Sequence, residues 1–242
     1  MKITFLGTRG YIDARTKKHY RHTATLISYK NTQVLIDCGI DWLGKINAIK
    51  PHAIILTHAH PDHAWGLKNG APCPVFATKA SWEVKELSKF PIKNKVTIKN
   101  RQVFTIGSIL FEVFDEVHSI RCPAVGYRIT AGNVTIYYAG DVVWIKERKQ
   151  ALKDIRLYIA DGASIVRPMV QAKGNKLFGH ASIKTQLAWC KKEKVLCVII
   201  THCGTQIVAG DKQKVNTKIK MLTQVYNTQV IVAYDGMIKL LR

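Results

Sequence analysis

Three imidazoles and one carboxylate stand within six residues of this sequence, in the run His58-Ala59-His60-Pro61-Asp62-His63. The apolar run before it, Ala53 to Leu56, predicts a buried strand that ends close to the proline. In an extended chain, side chains two residues apart share a face, so His58 and His60 are placed to bind one metal ion. Asp62 and His63 follow the turn and are placed to bind a second ion nearby.

Imidazole nitrogen and carboxylate oxygen together are typical of a hydrolytic metal centre and not of a purely structural one. These donors suit zinc, with manganese or iron as alternatives, so the expected cofactor is two divalent metal ions. A surface loop that is rich in histidine is the plain alternative, and the spacing after a buried strand argues against it. The glycines of Gly7-Thr8-Arg9-Gly10 lack the spacing of a dinucleotide or P-loop fingerprint, which excludes those cofactor classes.

Four more acidic and imidazole side chains end strand-like runs elsewhere in the chain, namely Asp37, His118, Asp141 and His202. With the His58 to His63 run, this ordered set resembles the metallo-β-lactamase superfamily of two-metal hydrolases. The resemblance implies an α/β fold of the αββα sandwich type, in which two β-sheets pack together with helices outside. It covers most of the chain, from Asp37 to His202.

The resemblance also implies a role for each residue of the set. It assigns one metal ion to His58, His60 and His118, the other to Asp62, His63 and His202, and both to Asp141. Asp37 is expected to orient a ligand without binding metal. The run Gly179-His180-Ala181-Ser182 is similar to a motif of the phosphodiesterase branch, which includes tRNase Z and the phosphoribosyl cyclic phosphodiesterase of phosphonate breakdown.

In that branch the histidine of the motif lies beside the metal ions and protonates the leaving oxygen. By this resemblance the catalytic residues are Asp62, Asp141 and His180, and Asp161 is expected to orient His180. A helix-cap neighbour with no chemical role is the plain alternative for His180.

The chain of 242 residues carries 37 Lys and Arg against 16 Asp and Glu, a formal net charge of +21. This balance favours a polyanion such as nucleic acid as partner, because basic side chains that neutralise phosphates release condensed counterions. A lysine-rich surface without such a ligand is the alternative. A candidate phosphate-binding stripe comprises Lys89, Lys93, Lys95, Lys99 and Arg101. A solvated basic face that binds no phosphate is an equal alternative for these residues.

Residues 1–242 are expected to form one domain, since α/β layered folds commonly reach this size undivided. No apolar run approaches the roughly 18 residues of a membrane span, and the N-terminus predicts a first strand and not a signal peptide. Six cysteines without a C-x-x-C pair indicate free thiols in a reducing compartment, hence a cytoplasmic protein. The sequence is compatible with a monomer or a homodimer.

Local patterns predict a hairpin of strands over residues 22–29 and 32–37, and helices over 79–87, 146–152, 182–192 and 212–226. The stretch that leads to Gly179 reads as a loop. Only residues 119–140 lie between His118 and Asp141, which leaves no room for the long tRNA-gripping arm of bacterial tRNase Z. Residues 8–33 contain no cysteine, so the zinc knuckle of the cyclic phosphodiesterase is also missing.

These patterns favour a metal-dependent phosphodiesterase, most simply a nuclease that acts on RNA or single-stranded DNA. One alternative is a small-molecule hydrolase, such as a cyclic phosphodiesterase, β-lactamase, lactonase or thioesterase. Another is a nucleic-acid-binding protein with a vestigial site, against which the complete ligand set argues.

Overall fold

The computed structural model describes residues 1–242, which form seventeen strands and eight α-helices. The strands are β1 (Lys2–Gly7), β2 (Ala24–Tyr29), β3 (Thr32–Ile36), β4 (Ala53–Ile55), β5 (Val75–Thr78), β6 (Lys95–Ile98), β7 (Val103–Ile106), β8 (Ile109–Val117), β9 (Ala124–Ala131), β10 (Val134–Tyr138), β11 (Trp144–Ile145), β12 (Leu157–Asp161), β13 (Met169–Lys173), β14 (Lys176–His180), β15 (Cys197–Thr201), β16 (Gln229–Val232) and β17 (Met237–Leu240). The helices are α1 (Ile46–Ile49), α2 (Pro61–Ala64), α3 (Lys79–Trp82), α4 (Lys85–Ser88), α5 (Arg148–Ala151), α6 (Ile183–Lys192), α7 (Thr205–Val208) and α8 (Lys212–Tyr226), with 3₁₀ turns at Ile40–Trp42 and Trp65–Asn69.

Two large sheets are antiparallel on one side and parallel on the other. The first has the order β17-β1-β2-β3-β4-β5-β6, and its strands from β3 onward run parallel. The second has the order β11-β8-β9-β10-β12-β15-β16, with β7 also paired to β8, and it is parallel from β10 onward. Parallel neighbours end at the same edge of a sheet. The residues that follow β4 therefore lie at one edge of the first sheet, and those that follow β12 and β15 lie together at one edge of the second.

Apolar side chains fill three layers. Phe5, Ile55 and Ile199 belong to the cluster between the two sheets. Leu187 of α6 and Ile219 of α8 belong to a cluster that covers the outer face of the second sheet. A third cluster joins the first sheet to the short helices outside it. Since burial of each large apolar side chain contributes about 1.5–3 kcal/mol, these layers hold the sheets face to face. The expected αββα sandwich is confirmed.

The long helices begin and end where the sequence predicts. Ser182 caps α6 by accepting a hydrogen bond from the Thr185 amide, and Asp211 caps α8 in the same way from the Lys214 amide. Asn227 ends α8 in the left-handed conformation, with φ of 49°. No helix of the structure combines the length and the apolar character that crossing a membrane requires.

Three local predictions are wrong. Residues 79–87 form two short helices, α3 and α4, and residues 146–152 hold only the single turn of α5. The stretch before Gly179 is not a loop but the hairpin β13–β14, a two-stranded sheet of its own. Seven of its ten strand residues are exposed and none is buried, so the alternation of burial that signals a strand is missing.

Candidate metal centre

Side chains that follow several strands converge at one edge of the sandwich. His58 comes after β4, His118 directly after β8, Asp141 after β10 and His202 directly after β15. The short helix α2 adds Asp62 and His63, and the carbonyl of His60 accepts hydrogen bonds from the amides of His63 and Ala64. Nearly all of these side chains are buried. The strand ends therefore gather the histidines and aspartates that lie far apart in the sequence.

One group of four ligand atoms consists of three imidazole nitrogens and one carboxylate oxygen. His60 Nδ1 lies 3.0 Å from His58 Nε2 and 3.2 Å from His118 Nε2. Asp141 Oδ2 lies 3.7 Å from His58 Nε2 and 3.6 Å from His118 Nε2. Ligands bound to a tetrahedral zinc ion at 2.0–2.1 Å are spaced by about 3.3 Å. The group thus has the spacing of a metal site.

A second group uses the other oxygen of the same aspartate. Asp141 Oδ1 lies 3.2 Å from His63 Nε2, which lies 3.4 Å from Asp62 Oδ2. His202 completes the group, with its Nε2 3.0 Å from Asp62 Oδ2. Since Asp141 faces the first group with Oδ2 and the second with Oδ1, its carboxylate has the placement of a bridge between two ions.

The second group also contains two buried polar atoms without a hydrogen-bond partner, His63 Nε2 and Asp141 Oδ1. A buried polar atom left without a partner costs about 1–3 kcal/mol. Both atoms face the same position, where a divalent cation would satisfy both. The residues present therefore fit two divalent metal ions.

The two groups differ in their electrostatics. Burial, with smaller contributions from neighbouring imidazoles, lowers the pKa of His118 to about 4 and that of His58 well below its ordinary value, so both imidazoles are neutral. Burial also acts to lower the pKa of His63 and of His202, but the surrounding carboxylates outweigh this effect. They raise the pKa of His63 well above its ordinary value and that of His202 to about 10. The second group favours positive charge, either protons or a cation.

Asp37 lies behind the second group. Its Oδ2 accepts a hydrogen bond from His63 Nδ1 at 2.9 Å, and its Oδ1 accepts one from the Thr57 amide at 2.8 Å. This contact leaves His63 Nε2 facing the cluster. Asp37 has a left-handed backbone with φ of 58°, and so has His202 with φ of 50°. Non-glycine residues in this conformation are sparse and concentrate at functional sites.

His180 stands at the end of β14 beside the cluster. Its Nδ1 lies 2.7 Å from Asp161 Oδ2, and its ring centre is 4.9 Å from that of His118. Burial lowers the pKa of His180, but the Asp161 carboxylate outweighs it and raises the pKa above the ordinary value. The imidazole is thus held with Nδ1 on Asp161, and Nε2 is its free nitrogen.

A cavity of about 550 Å³ opens over the cluster. Its walls include ligand atoms of both groups, His180, and the apolar side chains of Tyr11, Ile12 and Met169. Gly10 lies so close to the site that a Cβ atom there would stand 3.0 Å from the His202 ring. The absence of a side chain at this position lets the first loop pack directly against a candidate ligand.

A family model described as a beta-lactamase superfamily domain matches residues 32–203, a range that contains every candidate site residue. The chain belongs to this superfamily. The resemblance to the metallo-β-lactamase superfamily is therefore confirmed. The expectation that the protein is a metal-dependent hydrolase is also confirmed.

The chain is 28% identical over 179 residues to a curated relative, a ribonuclease Z of Methanopyrus kandleri. The match covers 64% of the chain and 61% of the relative, so it spans less than two thirds of that protein. Two solved structures share the fold over nearly their whole length. The metallo-beta-lactamase fold protein YhfI of Bacillus subtilis is 19% identical with a TM-score of 0.76, and covers 98% of each chain. A diphosphatase of the PhnP family is 18% identical with a TM-score of 0.75, and covers 100% of this chain and 98% of its own.

All seven candidate ligands of this superfamily member, together with Asp161 and His180, meet at one place. The basic stripe does not. The cavity over the cluster is lined by none of the stripe residues, which are Lys89, Lys93, Lys95, Lys99 and Arg101. Arg101 instead forms ion pairs with Glu112 at 2.7 Å and Glu147 at 3.5 Å. Its charge is therefore largely used within the fold.

Three supporting residues were missed in the sequence. Thr57 Oγ1 donates to Asp37 Oδ2 and lies 3.0 Å from His58 Nδ1, and its place next to His58 was the only available signal. Glu116 Oε2 accepts from the Gly140 amide at 2.9 Å, one residue before Asp141. Gln186 Nε2 donates to the Asp161 carbonyl at 2.7 Å. Nothing in the sequence around Glu116 or Gln186 indicates these contacts.

Proposed function

We propose that this protein is a two-metal phosphodiesterase that cleaves RNA or single-stranded DNA, carried by one domain over residues 1–242. The observation that carries the proposal is His180, which is held by Asp161 at 2.7 Å and lines the same cavity as both ligand groups. A site that only bound metal would have no use for a proton donor beside it. The ribonuclease Z relative and the net charge of +21 support a polynucleotide substrate.

We propose zinc as the metal, with manganese or iron as alternatives, because the donor set mixes imidazole and carboxylate. The first ion would be held by His58, His60 and His118, the second by Asp62, His63 and His202, and Asp141 would contact both. When bound, two such ions lower the pKa of water toward ~7 and offset the charge that develops on a phosphoryl oxygen.

The chain's own residues would perform the proton transfer. As the bond from phosphorus to the leaving oxygen breaks, the electron pair goes to that oxygen, and His180 Nε2 supplies the proton. Asp161 accepts the hydrogen bond from His180 Nδ1, which fixes the orientation of the ring and stabilises its charged form. Tyr11, Ile12 and Met169 narrow the access of water to this position. Asp62 and Asp141 would serve as catalytic residues by holding the ions whose positive charge offsets that of the substrate phosphate.

Most of the basic charge is available for a polyanion. Six of the 37 Lys and Arg side chains lie within 4.0 Å of a carboxylate, and they are Arg9, Arg15, Lys79, Arg101, Lys146 and Arg148. The remaining basic side chains have no acidic partner, which supports nucleic acid as the partner. Six free cysteines support a reducing, cytoplasmic location.

A small phosphodiester such as a cyclic phosphate is the second candidate substrate. It is favoured by the short connection between His118 and Asp141, residues 119–140, which provides no arm to grip a large RNA. The similarity to a diphosphatase supports the same alternative.

The test is a hydrolysis screen with purified, metal-loaded protein. We expect cleavage of bis(p-nitrophenyl) phosphate and of single-stranded oligonucleotides, and no turnover of nitrocefin or S-lactoylglutathione. His52→Ala is the matched control, since His52 is exposed and its Nδ1 contacts only the Gln33 amide, away from the cluster. Turnover of nitrocefin or the thioester without phosphodiester cleavage would contradict the proposal, and turnover of cyclic phosphates alone would select the second candidate.

A further inference from the structure

A second cavity, of about 460 Å³, lies next to the one over the ligand cluster. The two cavities share His118 as a wall. The rest of its wall is mixed, and it includes the apolar side chains of Ile120, Trp144 and Leu177 and the basic side chain of Lys176. A substrate that lies over the metal ligands can therefore continue past His118 into this space.

Trp144 forms the aromatic wall of the second cavity. It belongs to the edge strand β11, where it pairs with Val117, the residue before His118. Trp144 and His118 therefore line the same cavity from neighbouring strand positions. The ring is fixed because Arg148 lies over it at 4.4 Å and Trp189 packs edge to face at 5.7 Å. Even so, 43% of Trp144 is exposed.

The hairpin β13–β14 contributes to the walls of both cavities. At its base, the Gly179 amide donates to the His118 carbonyl at 2.7 Å, and the Gly179 carbonyl lies 2.9 Å from His118 Nδ1. The same hairpin carries His180 into the first cavity and Leu177 into the second. The position of the proton donor and the shape of the second cavity are thus set by one element.

The charge of the second cavity suits a phosphate. Lys176 is exposed and has no carboxylate within 4.0 Å, whereas Lys146 is paired with Asp115 at 3.0 Å. The one acidic side chain in the wall, Glu116, is buried, and its oxygens accept hydrogen bonds from the Tyr137 hydroxyl and the Gly140 amide. The exposed part of the cavity therefore combines an aromatic ring and an apolar side chain with unpaired positive charge.

We propose that this second cavity binds the nucleobase next to the scissile phosphate, with the base stacked on Trp144 and its phosphate near Lys176. This inference rests on the proposed function and narrows it to single-stranded substrates, because a base can stack on a protein ring only when it has left its own stack. Stacking is sequence-tolerant, since every base has a π-face. The subsite thus selects nucleotides over cyclic or simple phosphodiesters without selecting a sequence.

The test compares binding of two labelled pentanucleotides that carry the same charge, one with bases and one with abasic sites throughout. Fluorescence anisotropy with excess chelator avoids cleavage and needs no activity. Trp144→Ala should weaken binding of the base-bearing strand about 5- to 150-fold, the cost of losing one stacking contact, and leave the abasic strand nearly unchanged. Trp144→Leu, which keeps apolar volume, should show the same selective loss, and Trp144→Phe should retain most of the affinity.

Trp82→Ala is the matched control, since Trp82 also has a basic side chain over its ring, Lys95 at 5.4 Å, but lines neither cavity. It should bind both strands like the unaltered protein. Equal losses on both strands in the Trp144 variants, or no loss on either, would overturn the subsite. Failure of the proposed function looks different, since no phosphodiester would be cleaved although the selective loss of base binding remained.

Discussion

His180 Nδ1 lies 2.7 Å from Asp161 Oδ2. The other oxygen of the same carboxylate, Oδ1, lies 3.1 Å from His202 Nδ1. One buried aspartate therefore orients both the proposed proton donor and a proposed metal ligand. Burial would raise the pKa of Asp161, but the two imidazoles hold it below its ordinary value. The carboxylate is ionised and able to accept from both rings.

Asp161→Asn should impair both functions at once. An amide offers one acceptor oxygen in place of two, so one of the two imidazoles loses its partner. We expect a loss of about 10- to 100-fold in metal affinity, in activity, or in both, as is usual when the partner of a metal-binding histidine is changed. Metal content and kcat/KM are measured together. Asp154→Asn, at an exposed turn, is the control and should change neither. Unaltered values for Asp161→Asn would remove the residue from the site.

The bridging placement of Asp141 predicts a graded loss of metal. We expect about two metal ions per chain in the unaltered protein. His58→Ala and His118→Ala should each weaken one metal site, whereas Asp141→Ala should weaken both. Metal content after dialysis, measured by mass spectrometry, gives the result directly. A protein that carries almost no metal when purified with excess metal, or an Asp141→Ala variant with full activity, would contradict the two-metal assignment.

The candidate ligand run from His58 to His63 could be proposed from the sequence because its spacing is local and it directly follows a strand. Asp161 could only be suggested, because its contacts with His180 and His202 join residues 19 and 41 positions away. Glu116 was hidden inside a strand, where alternation predicts the face of a side chain but not the amide that it meets.

The hairpin β13–β14 was missed for a different reason. A strand is recognised by alternation between a buried and an exposed face, and residues of this hairpin from Met169 to Leu177 are exposed on both. Its position is set by two hydrogen bonds between Gly179 and His118, which no local pattern shows. The charge excess was evident from composition, but the structure was needed to separate Arg101, which is ion-paired, from Lys176, which is not.

Binding of single-stranded nucleic acid should depend steeply on salt. Each phosphate that is neutralised on a single strand contributes about −0.7 to the slope of log affinity against log salt, so contact with several phosphates gives a slope of several units. Titrations of a labelled oligonucleotide at a series of salt concentrations measure this slope. A salt-independent affinity, or no binding at low salt, would mean that the basic side chains are solvated and do not bind nucleic acid.

The fold should lose stability in mild acid through His22. Burial, and next the Arg9 guanidinium, lower the pKa of His22 to about 4 from 6.5. The unfolded chain therefore binds more protons between these values, so the stabilisation is complete above pH 6.5 and is lost as the pH falls toward 4. Urea unfolding at a series of pH values checks this. His22→Gln should show a shallower dependence over this range, and an unchanged dependence would contradict the assignment.

The central claim is that His180 protonates a departing alkoxide, and the most direct measurement compares leaving groups. His180→Ala should retain both metal ions and the fold, yet lose about 10²- to 10⁴-fold in rate on an RNA oligonucleotide, whose leaving oxygen needs a proton. On bis(p-nitrophenyl) phosphate the loss should be much smaller, because p-nitrophenolate leaves without one. His52→Ala should match the unaltered protein on both substrates. Equal losses of His180→Ala on the two substrates would contradict proton donation, and no loss on either would place His180 outside the active site.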